Sequence, residues 1–108
     1  MRVHRLILCL CAVGILAACT SASPPVQEMS DARLAIAAAE QVDAAKHAPT
    51  QFVEAKLLLK SAQSNLERRA YAAARRDAGL AKQLATEARE ASERQRTEPN
   101  REQPVPIK

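Results

Sequence analysis

Residues 30–96 contain a single proline, Pro49, and a single glycine, Gly79, and alanine is their commonest residue. Alanine has the highest helix propensity and proline and glycine the lowest, so this stretch is committed to helix and gives no support to strands. The spacing divides it further. Phe52, Ala55, Leu59, Ala62 and Leu66 recur at steps of three and four, a heptad stripe that packs against another helix. Tyr71, Ala74, Ala78, Ala81, Ala85, Ala88 and Ser92 repeat the same steps, and the longer step between Leu66 and Tyr71 places a tight turn near residues 68–70.

An antiparallel hairpin about that turn requires facing residues to have a constant sum of numbers. Leu66 with Ala74, Ala62 with Ala78, Leu59 with Ala81, Ala55 with Ala85 and Phe52 with Ala88 all meet that condition. Large residues of one helix thus meet alanine on the other, and two layers are alanine on alanine, which brings the axes close. Pro49 suits the first turn of the earlier hairpin helix. A preceding helix is expected over residues 31–46, with Ser30 as its N-cap and Ala35, Ala38, Val42 and Ala45 facing the pair. Leu57, Leu58 and Leu59 are consecutive and cannot all face one partner. Either the first hairpin helix is central and touches both neighbours, or Leu57, Leu80 or Leu84 contributes to an exposed patch.

The start of the chain has a different character. Arg2, His4 and Arg5 precede an apolar run over residues 6–16, the pattern of a secretory signal. The run falls short of the roughly 20 residues a membrane span needs. It ends in Leu16, Ala17, Ala18 and Cys19, and with this lipobox the chain resembles a bacterial lipoprotein precursor. The resemblance implies removal of residues 1–18 as a signal peptide and a diacylglyceryl group on the Cys19 thiol, followed by N-acylation of the freed amine. That lipid is the only covalent group expected, with no other cofactor. Several acyl chains make the anchor effectively permanent, since each buried CH₂ contributes about 0.8 kcal/mol. Thr20, where inner-membrane lipoproteins typically carry Asp, points to the outer membrane facing the periplasm.

Cys9 and Cys11 would leave with the leader, so the mature chain would have neither a free thiol nor a disulfide. Residues 19–29, with Pro24 and Pro25 adjacent, read as the lipidated cysteine and a flexible tether; residues 30–96 form the Ala-rich helical domain; residues 97–108, with Pro99, Pro104 and Pro106, read as a disordered tail. The fold class expected is therefore all-α: a signal helix, then a small Ala-rich antiparallel helical hairpin or three-helix bundle between proline-containing ends. The 108 residues allow one small domain.

Ala48 and Pro49, then Ala55, Leu58, Ala62 and Leu66, then Tyr71, Ala74, Ala78, Ala81 and Ala85, together resemble the bacterial family called domain of unknown function 4398. The likeness covers residues 30–92. It implies a helical envelope protein, since the family occurs as small lipoproteins or ahead of an OmpA-like peptidoglycan-binding domain. The family usually places glycine just before the second hairpin helix, where this chain has Arg69 and Ala70. A left-handed residue there costs about 1 kcal/mol without glycine, so a tighter turn or a more continuous helix is expected.

The remaining charges suggest surfaces and give no sign of catalysis. Arg68, Arg69, Arg75 and Arg76 gather at the hairpin end as a candidate anion or partner patch, against the plainer role of compensating a helix C-terminus. Arg89 with Glu93 and Glu90 with Arg94 are spaced as ion pairs on an exposed helix face. His47 reads as a helix C-terminal residue, without the further ligands a metal site needs. No nucleophile with a base and no phosphate loop assembles, so an enzyme is not expected. The formal net charge of +4 falls toward balance once Arg2 and Arg5 leave, which argues against nucleic acid as a partner. The expected function is a membrane-anchored, non-enzymatic envelope adaptor or scaffold, with an envelope protein or peptidoglycan as partner. The competing expectation is a structural, self-assembling coiled-coil lipoprotein, with the minor variant of a covalent peptidoglycan link through Lys108.

Overall fold

The computed structural model describes Val3 and residues 23–98. The described chain is all-α, with helices α1 (Val26–Gln41), α2 (Ala44–His47), α3 (Pro49–Glu67) and α4 (Tyr71–Thr97), and no strand among the described residues.

α1 begins earlier than the sequence suggested. Pro25 takes the N-cap position and its carbonyl accepts the Met29 amide at 3.0 Å, while the Pro24 carbonyl accepts that of Val26 at 2.9 Å. Ser30 is therefore an exposed residue inside the helix, not its cap. The tether expected to run through residue 29 is shortened accordingly, because Pro25 and Met29 are buried against the bundle. Proline ahead of a first helical turn loses no backbone hydrogen bond, and Glu28 in that turn faces the positive helix end.

α1 also stops at Gln41, short of residue 46. Asp43 adopts a left-handed conformation at φ 59°, ψ 41°, and donates its amide to the Glu40 carbonyl at 3.1 Å. Aspartate is among the few residues that enter this region readily. The Asp43 carbonyl then accepts the amides of Lys46 and His47, starting the single turn of α2. The reversal places Ala39 and Ala44 in one buried cluster with Ala48, Phe52 and Ala88, the apolar closure that often accompanies a left-handed helix end. Because of the earlier start and the break, the buried face is Met29, Ala32, Ala39 and Ala44. Of the expected face, Ala35, Ala38 and Val42 are half-buried and Ala45 is exposed.

Pro49 opens α3, preceded by Ala48 at φ −140°, ψ 56°, outside the helical region that a following proline disfavours. At the other end of α3, Arg69 donates to the Leu66 carbonyl at 3.0 Å and Ala70 to that of Asn65 at 2.8 Å. This is the Schellman pattern, whose left-handed position is filled by Arg69 at φ 59°. The hairpin thus keeps a true turn between separate helices, and Arg69 bears the strain that glycine would avoid.

α3 and α4 pack antiparallel. Ala62 clusters with Ala78 and Ala81, and Phe52 with Ala88, in the register derived from the two stripes. α1 runs parallel to α4, with Glu28 beside Arg75, Asp31 beside Lys82 and Met29 against Ala78 and Ala81. The arrangement is an up-down-up bundle in which α4, not α3, is the central helix; its interfaces with α1 and with α3 are both extensive, whereas α1 and α3 touch sparingly. The reason is side-chain size. Ala74, Ala78, Ala81, Ala85, Ala88 and Ser92 are fully buried, and so narrow a face lets two helices approach the same rod.

Candidate functional site

The alanine interior leaves most large apolar residues outside it. Met29 and Phe52 are buried, but Leu58, Leu59, Leu66 and Leu84 are only half-buried, while Leu57 is 61% and Leu80 44% exposed. Of the expected hairpin-packing residues, Phe52, Ala55, Ala62, Ala74, Ala78, Ala81, Ala85 and Ala88 are buried, and Leu59, Leu66 and Tyr71 are half-buried.

The position of the exposed leucines follows from polar contacts between α3 and α4. Asp77 accepts hydrogen bonds from Ser61 at 2.7 Å and Asn65 at 2.9 Å, which marks one edge of the hairpin seam. One turn from Ser61 lies Leu58, and one and two turns from Asp77 lie Leu80 and Leu84, so three leucines continue along this edge, while Leu57, turned about 100° from Leu58, lies on the outer face of α3. α1 lies along the opposite edge, held by its ion pairs to Arg75 and Lys82. The Ser61, Asn65 and Asp77 cluster escaped the sequence reading, although the regular spacing of Ser61 and Asn65 on α3 was its available signal.

The expected four-arginine patch is divided by the fold. Arg75 turns toward α1, its Nε 3.0 Å from the Glu28 carboxylate and its Nη2 donating to the Ser23 carbonyl at 3.0 Å. The Glu28 backbone amide, and then the Arg75 hydrogen bond, hold the Glu28 carboxyl below its ordinary range. Arg68 donates to the Asn65 side chain at 2.8 Å yet remains exposed, and Arg69 and Arg76 are exposed with it. The contribution of Glu28 and Ser23 was hidden because both belonged to the expected tether.

At the far end His47, the last residue of α2, has Nδ1 3.0 Å from the Gln95 amide oxygen of α4. Arg89 pairs with Glu93 at 2.9 Å, whereas the Glu90 and Arg94 pair does not form. Among the described residues no group of three or more His, Cys, Asp or Glu is placed to hold a metal, and no helix is long and apolar enough to cross a membrane. Leu16, Ala17, Ala18, Cys19 and Lys108 lie outside the described residues.

These features define a small all-α bundle with an alanine interior, a leucine-lined edge and a basic end. No family model, curated protein or solved structure matches the chain.

Proposed function

We propose that this chain is a non-enzymatic lipoprotein of the bacterial envelope, anchored through Cys19 to the outer membrane and facing the periplasm. It acts as an adaptor that presents a helical surface to an envelope protein or to peptidoglycan. The anchor is supported by the lipobox at Leu16, Ala17, Ala18 and Cys19. The adaptor role rests on the leucine edge, where Leu80 stays exposed beside half-buried Leu58 and Leu84 while alanines occupy the interior. Contiguous apolar surface on a small domain is a feature of binding faces.

The same edge favours a second reading, self-assembly. Leu80 and Leu84 fall on a further stripe of α4 with Ala73 and Ala91, at the steps a helix pair requires. A photo-crosslinking residue at Leu80 in intact cells separates the two. Crosslinks to a distinct envelope protein or a muropeptide identify the adaptor and its target, and crosslinks only between copies identify the assembly. A thermal midpoint that rises with concentration would agree with assembly. Acyl labelling that survives Cys19→Ala would overturn the anchor.

A further inference from the structure

The start of α1 and the turn between α3 and α4 lie at the same end of the bundle. Arg75, in the second turn of α4, donates to the Ser23 carbonyl and pairs with Glu28. Cys19 precedes Ser23 by only four residues, so the fully extended chain carries the cysteine no more than about 14 Å from that point. The Arg68, Arg69 and Arg76 side chains are exposed there, with Glu67 as the neighbouring exposed acid and Glu28 already neutralised by Arg75. The opposite end, bearing Thr50, is separated by the length of α3, about 28 Å for its 19 residues.

We infer that the Arg68, Arg69 and Arg76 end of the bundle rests against anionic phospholipid headgroups of the membrane that holds Cys19, an inference that depends on Cys19 being the lipidated residue. A short anchor leaves the basic end little choice of distance, and guanidinium groups fork onto phosphate oxygens. Attraction to an anionic surface acts over a Debye length, about 10 Å at 0.1 M salt, comparable to the reach of the linking residues. The bundle therefore stands turn-end down, and the leucine edge runs outward from the membrane.

The test uses the full mature lipidated chain in vesicles, with a fluorophore on a cysteine introduced at Ser64, near the turn, or at Thr50. Headgroup-nitroxide lipid is the quencher, in phosphatidylcholine with or without phosphatidylglycerol. The expected result is quenching at Ser64 and not at Thr50, stronger on the anionic vesicles and reduced several-fold in the triple variant R68Q/R69Q/R76Q. The variant R68K/R69K/R76K, which keeps the charge, should retain it. Equal quenching at the two labels, or quenching at Ser64 indifferent to lipid charge, would overturn the inference. If the glutamine variant loses helicity by circular dichroism, the lipid-charge comparison on the unsubstituted chain decides. A chain that floats with vesicles, carries acyl mass and is quenched equally at both labels refutes the orientation alone. A chain without acyl mass that fails to float refutes the lipoprotein reading and this inference with it.

Discussion

The Ala70 amide reaches back to the Asn65 carbonyl at 2.8 Å, and this closure holds Arg69 between them in the left-handed region at φ 59°. Glycine occupies such a position without the clash between Cβ and the following carbonyl. Arg69→Gly should therefore raise stability by about 1 kcal/mol. The measurement is the midpoint of urea unfolding, which should shift upward with an unchanged slope.

Two adjacent positions on α4 should respond in opposite directions. Ala78 is fully buried between α1 and α3, so Ala78→Leu overpacks the bundle and should cost about 1 to 3 kcal/mol. A β-carbon added at Gly79 meets nothing within 4 Å, and Gly79→Ala should stabilise by about 0.5 to 1 kcal/mol. Thermal or urea unfolding of both variants tests the register of the central helix directly.

Met29 is 1% exposed and packs with Ala32, Ala62, Ala78 and Ala81. Met29→Ala should cost about 2 to 5 kcal/mol, within the range for removing a large side chain from an interior. Leu34, 67% exposed on the same helix, should tolerate alanine with little change. An equal loss in the two variants would show that α1 packs by a different face.

Glu28 confers a pH dependence of known sign. Its carboxyl titrates below the ordinary range in the folded chain, through the backbone amide and then Arg75. The folded state accordingly binds fewer protons, so its contribution is complete above the unfolded carboxylate range and is lost as pH falls through the lowered value. Glu28→Gln should flatten the acid side of the stability profile, measured by urea unfolding across that interval. Because both side chains keep more than a third of their surface in solvent, added salt should weaken the contribution.

The helical class and the packing of α3 on α4 were legible from local rules. Alanine content and the scarcity of proline and glycine impose helix, Pro49 opens one of them, and the heptad steps from Phe52 to Ala88 define both faces and their register. The arginines near the turn were equally visible, as was the fact that Leu57, Leu58 and Leu59 cannot all face one partner. Tertiary structure decided what depends on partners distant in sequence. It recruited Pro25 and Met29 into the bundle, because burial against α4 outweighs the tendency of a proline-containing segment to remain outside. It broke α1 at Asp43, where the left-handed turn brings Ala44 onto Ala39, Phe52 and Ala88. It withdrew Arg75 from the basic group by offering Glu28 and Ser23 on another helix. It also made α4 the centre, since an unbroken alanine face is narrow enough for helices on two sides, a choice that pairwise spacing cannot express.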